Sequence, residues 1–83
     1  MIDPPKYSVG TLLLSNVPYY HGEHRDRELG WIIYIYQKSI PFTKVTIYMY
    51  VVEWNGPNRN TPSSYTVEDI DCFVFNLKNF LKK

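Results

Sequence analysis

WIIYIYQK at residues 31–38 and KVTIYMYVVEW at residues 44–54 decide the fold. Both are dense in β-branched and aromatic side chains, which suit a pleated, half-buried surface, and Pro41 lies between them where a ladder has to break. They predict an antiparallel hairpin with residues 39–43 as its connection. Side chains alternate across a strand, so Trp31, Ile33 and Ile35 share a face with Val45, Ile47, Met49 and Val51. Those odd positions are expected to form the dry face. The even positions carry Tyr34, Tyr36 and Lys38 on one strand, and Lys44, Thr46, Tyr48, Tyr50, Val52 and Trp54 on the other. A register pairing Ile35 with Ile47 sets Tyr34 opposite Tyr48, and pairings shifted by two keep the same faces.

C-terminal to the hairpin, TVEDIDCFVFNLKNFLKK at 66–83 reads as a closing helix. Thr66 is the expected N-cap with Asp69 three residues on, acids fill the first turn and lysines the last. Val67, Ile70, Phe73, Val74, Leu77, Phe80 and Leu81 follow one helical stripe, which is predicted to dock on the odd-position face. Phe75 falls about 140° from the centre of that stripe, and Cys72 about 160°. Phe75 is therefore the candidate oligomer contact.

Towards the N-terminus, Pro4 and Pro5 withhold two amide donors, so residues 1–6 are expected to be an extended lead-in. A first strand is predicted from Tyr7 to Leu14. Residues 15–30, SNVPYYHGEHRDRELG, have the composition of a long charged loop, and residues 55–65 that of a polar one. The order is β-β-β-α. It predicts a single α+β domain over residues 1–83, a small three-stranded antiparallel sheet with one C-terminal helix packed across one face. The sequence leaves strand order open, since the long connection permits the first strand to pair with either member of the hairpin.

Composition narrows the function. At 83 residues with 45% apolar positions, the chain has the content of one small folded domain, which excludes a multidomain enzyme and a disordered chain. Nine Lys and Arg against eight Asp and Glu give no overall field that would by itself draw nucleic acid or an anionic membrane. Cys72 is the single cysteine, so no internal disulfide can form, and a reducing cytoplasmic setting is expected. The first twenty residues have too short an apolar stretch for a signal or spanning segment.

Catalysis is not expected. His21 and His24 are the only neutral-pH bases, no nucleophile is placed beside them, and Cys72 sits mid-helix near Asp69 and Asp71 with no cationic neighbour, a poor setting for a nucleophile. The four glycines are too scattered for a phosphate nest, so no nucleotide or other cofactor is expected. The segment His21 to Glu28 holds two imidazoles and three carboxylates, but interleaved Arg25 and Arg27 and an undefined loop geometry argue against a metal site.

The aromatic even face is the feature that points to function. Tyrosine and tryptophan offer large, rigid contact area, and interfaces are enriched in them. Tyr34, Tyr36, Tyr48, Tyr50 and Trp54, with Lys38 and Lys44, are the candidate partner-binding set. Tyr19, Tyr20, His21, His24, Arg25 and Arg27 form a candidate secondary contact loop. A competing reading folds strand 1 and the lead-in over this face, which would make the tyrosines packing residues; another leaves it as an ordinary solvent-facing sheet. The expected function is a non-catalytic interaction module, an accessory or inhibitory factor of the kind phages and mobile elements encode, docking on a larger protein or complex. The alternative is a single-stranded nucleic-acid binder that stacks bases on the same tyrosines and contacts phosphates through Lys38, Lys44, Arg25 and Arg27. Membrane binding is not expected, because the helix opens on Glu68, Asp69 and Asp71. A homodimer is compatible with both readings.

Overall fold

The hairpin forms and is longer than its sequence signal. The computed structural model describes residues 3–15, 28–55 and 62–81, and in these the chain runs β1 (Leu12–Ser15), β2 (Glu28–Ser39), β3 (Thr46–Trp54), β4 (Ser63–Tyr65) and α1 (Val67–Leu81). The strands pair in chain order, each antiparallel to the next. The architecture is α+β with one C-terminal helix, but the sheet has four strands rather than three. Ser63–Tyr65 adds to the free side of β3, pairing Tyr50 with Tyr65 and Val52 with Ser63. Three residues inside a polar run leave no periodicity to read.

Three strand starts also move, that of β3 from Lys44 to Thr46, so the hairpin connection is 40–45 rather than 39–43. The first strand begins at Leu12 rather than near Tyr7, because a turn precedes it: the Thr11 amide and hydroxyl both donate to the Ser8 carbonyl, at 3.2 and 2.7 Å. Gly10 supplies the positive φ of 96° that this turn needs. Glu28–Gly30, assigned by composition to the long loop, belong to β2 and pair with β1. The rest of that loop, with Tyr19, Tyr20, His21, His24, Arg25 and Arg27, lies outside the described residues, as do 56–61 of the polar run.

At the far end of the hairpin the connection is residues 40–45. Thr43 N donates to Ile40 O at 3.2 Å around Pro41 and Phe42, and Ile40 N donates to Val45 O at 2.9 Å. Phe42 sits at φ 63°, fully exposed, at the third position of a turn that favours glycine there. Replacing Phe42 with glycine is expected to stabilise the fold by about 0.5–1 kcal/mol. A thermal melt showing no rise in midpoint would contradict this.

The core lies on the opposite face from the one predicted. Leu13, Ile32, Tyr50, Val52 and Trp54 form one buried cluster with Ile70 of the helix, so the even positions of β3 are the dry ones. The observed register pairs Ile35 with Tyr50 and Tyr34 with Val51, in place of Ile35 with Ile47 and Tyr34 with Tyr48. A bulge between Ile32 and Tyr34 shifts the phase of β2, which lets Ile32 and Ile35 reach the same cluster although one is even and the other odd. Alternation could not choose the face, because nearly every position of β3 is apolar or aromatic. Hydroxyl satisfaction chooses it. The Tyr50 hydroxyl accepts from the Lys6 amide at 3.1 Å, and the Trp54 indole N–H donates to the Tyr65 hydroxyl at 3.0 Å.

The helix starts as its sequence predicts. Ile70 N donates to Thr66 O at 3.1 Å and the Thr66 hydroxyl donates to the Asp69 carboxylate at 3.3 Å. Val67, Phe73 and Val74 pack beside the buried Ile70, whereas Phe80 and Leu81, at the other end of the stripe, are exposed. Trp54, Tyr65 and Phe73 meet edge to face, with centroids 5.0–6.1 Å apart and planes 86–90° apart. That triad ties β3, β4 and α1 together.

Candidate protein-binding face

The expected single tyrosine face is split in two. Tyr48, Tyr50 and Trp54 point to the helix side, with Tyr50 at 1% and Trp54 at 4% exposure. Tyr34, Tyr36 and Lys38 point to the other side, because the bulge puts even positions of β2 and odd positions of β3 on one face. As surface contact residues, Tyr50 and Trp54 are therefore corrected to core. Lys44 is exposed in the hairpin connection and belongs to neither strand.

The helix side has a second cover that only the competing reading foresaw. Residues 3–7 run across it beside α1. Tyr48 donates its hydroxyl to Asp3 O at 2.7 Å, the Tyr50 hydroxyl holds the Lys6 amide, and the Tyr7 ring stands edge-on to Tyr50 at 6.0 Å. Lys6 Nζ reaches Asp71 Oδ1 on the helix at 2.9 Å, and the Tyr7 hydroxyl donates to the same oxygen. A groove of about 360 Å³ remains between Pro4, Tyr48, Thr66 and Val67. Asp3, Lys6 and Glu68 also line it, so both signs of charge are present.

The clasp is pH-dependent in a defined direction. The hydrogen bonds from Tyr7 and then Lys6 hold the Asp71 carboxyl below its ordinary value of 3.8. Burial, and then the bond to Asp71, pushes the Tyr7 phenol up, and the bond to Asp71 raises Lys6. The Asp71 contribution is complete above the ordinary carboxylate value and is lost as pH falls through the lowered one. The contributions of Tyr7 and Lys6 are complete below their ordinary values and are lost as pH rises through the raised ones. The exchange protection of the Lys6 amide, relative to an unfolded amide at the same pH, is expected to fall in acid, and Asp71→Asn is expected to show the low protection already at neutral pH. Equal protection in the two proteins at neutral pH would remove the clasp.

The face away from the helix is where a partner has room. Leu12, Leu14, Leu29, Trp31, Tyr34 and Tyr36 share it with Ile47, Met49 and Val51 of β3; Leu14 is buried at one end, Leu12, Leu29 and Tyr34 are exposed, and the others are half-buried. The Tyr34 and Tyr36 rings stack with centroids 6.1 Å apart at 24°, Tyr34 is 59% exposed, and the Tyr36 hydroxyl donates to Ser64 Oγ of β4 at 3.4 Å. Lys38 and Glu53 are exposed at opposite ends. The sequence pattern assigns Trp31, Ile47, Met49 and Val51 to the core beneath the helix, whereas they line the opposite face and are half-buried. The legible signal was Gly30, for a strand glycine marks a close approach, here that of Trp54 across the pair.

Phe75 projects from α1 at 62% exposure, as its helical phase predicts, and Cys72 is exposed on the same helix. Among the described residues no group of His, Cys, Asp and Glu could hold a metal ion, and no helix is long and apolar enough to cross a membrane. The chain matches no protein-family model, no curated protein and no solved structure.

Proposed function

We propose that this chain is a non-catalytic protein-interaction module, an accessory or inhibitory factor of the cytoplasm, which docks a larger protein against the sheet face opposite its helix. The observation that carries the reading is the exposed Tyr34, stacked on the half-buried Tyr36 and set among Trp31, Ile47, Met49 and Val51 with no described element over it. Rigid aromatics surrounded by apolar side chains are the composition of an interface centre, and Lys38 and Glu53 stand where a polar rim belongs. Among the described residues, the helix and residues 3–7 cover the other face, which leaves the Tyr34 side of the sheet to a partner.

The test is affinity capture from nuclease-treated lysate washed at high salt, beside a Tyr34→Ser, Tyr36→Ser double variant shown to be folded. One protein retained by the native sequence and lost by the variant is the expected result. Retention of the same protein by both would overturn this face as the contact. Retention of nucleic acid alone, in an untreated low-salt control, would move the function to single-strand binding, because phosphate contacts fail as salt rises and desolvated aromatic contacts do not.

A further inference from the structure

β2 is twelve residues long, and β1 pairs only with its first four, Glu28 to Trp31. Gly10 and Thr11 carry the contact one residue further, to both backbone groups of Ile32. Beyond that point no described residue is hydrogen-bonded along this edge, and Gln37, Lys38 and Ser39 are exposed. Which groups the edge presents follows from the ladder. Ile40 N bonds Val45 O, and in an antiparallel pair the bonded positions alternate, so Lys38, Tyr36 and Tyr34 turn their amides and carbonyls towards β3. Ile35, Gln37 and Ser39 turn theirs outward.

We propose that this edge pairs with the same edge of a second copy, antiparallel about a two-fold axis at Gln37. Gln37 then faces its counterpart and Ile35 faces Ser39 in each direction, so the outward groups of all three residues are paired by six backbone hydrogen bonds. On the open face Tyr36 lies opposite Lys38 of the other copy, twice, an ammonium against an aromatic ring with no like charges opposed. The register is selected by the chain itself. Moving the axis one residue to Tyr36 sets Ser39 against the bulged Ile33 and leaves four bonds instead of six, and moving it on to Ile35 drives Lys38 against Ile32, whose groups Gly10 and Thr11 already hold. Moving it the other way, to Lys38 or Ser39, puts Pro41, which has no N–H, at a bonding position, and at Lys38 it also opposes two lysines. The axis at Gln37 meets none of these obstacles.

The partner is thus a second copy of this chain, and the contact is made by the backbone groups of an edge; Tyr36 and Lys38 border both this edge and the face assigned to the larger partner, and the capture and the concentration series test the two readings separately. Five ladder residues bury little area, and association is expected with a dissociation constant between about 10 μM and about 1 mM. Light scattering across that concentration range is expected to show monomer passing to dimer, with the amides of Ile35, Gln37 and Ser39 gaining exchange protection as the concentration rises. Gln37→Pro removes an outward N–H while leaving the bonds of Tyr36 and Lys38 to β3, and is expected to stay monomeric. Lys38→Glu, which disturbs no ladder bond, is expected to weaken the dimer several-fold and serves if the proline variant does not fold. A native chain that is monomeric throughout overturns the proposal. So does a dimer that persists in folded Gln37→Pro, or one in which those three amides exchange equally fast at every concentration.

Discussion

Ile70→Ala is expected to cost about 3–4 kcal/mol and to lower the thermal midpoint by roughly 15–25 °C. Ile70 is the one fully buried residue of α1, and its side chain joins Leu13, Ile32, Tyr50, Val52 and Trp54. Truncation removes the transfer free energy of the lost methylenes and leaves a hole walled by strands that hydrogen bonds hold in place, so little of it can close. Ile70→Val, which removes a single methylene, is expected to cost about 1 kcal/mol. Leu81→Ala, at an exposed position of the same helix, is expected to stay within about 0.5 kcal/mol. Urea midpoints at unchanged slope measure all three. An Ile70→Ala cost no larger than that of Leu81→Ala would mean the helix is not anchored where the structure puts it.

Gly30→Ala is expected to cost about 3 kcal/mol for the opposite reason, too much matter rather than too little. A Cβ at Gly30 would stand 2.4 Å from Trp54 Cε3 and 2.9 Å from the Glu53 carbonyl oxygen. The indole cannot swing away, because Tyr65 holds its N–H and Phe73 packs on its ring at 5.0 Å. In a Trp54→Leu background most of the clash is gone and the backbone contact remains, so the same substitution should cost clearly less there. A double-mutant cycle reads this as a coupling of more than about 1 kcal/mol. Additive effects would show that the glycine is not there for the tryptophan.

The elements were legible from residue type and spacing, and the faces were not. The hairpin, its Pro41 break and the helix from Thr66 could be read because each has a strong local signature. β4 could not, since three residues carry no period and its reason for being a strand is the open edge of β3. The choice of face failed at β3, where aromatic and aliphatic residues alternate with each other instead of with polar ones. There the deciding facts are long-range: an amide of Lys6 for Tyr50, a hydroxyl of Tyr65 for Trp54, and a bulge that re-phases β2. Of the candidate site, Tyr34, Tyr36 and Lys38 remain on one surface, while Tyr50 and Trp54 supply the core behind it. The buried Tyr50 hydroxyl finds its partner in the Lys6 amide, 44 residues away.

The clasp over the helix side bears on the order in which the molecule assembles. The sheet is a meander in which each strand pairs with the next, across connections of twelve, six and eight residues. The contacts of Lys6 and Tyr7 with Asp71 span 65 and 64 residues, that of Lys6 with Tyr50 spans 44 and that of Asp3 with Tyr48 spans 45. Such closures are entropically the most expensive in the chain and have no docking surface until β3 and α1 are in place. Residues 3–7 therefore join last and leave first, so substitutions there change how fast the native state opens and leave the rate of forming the sheet almost untouched.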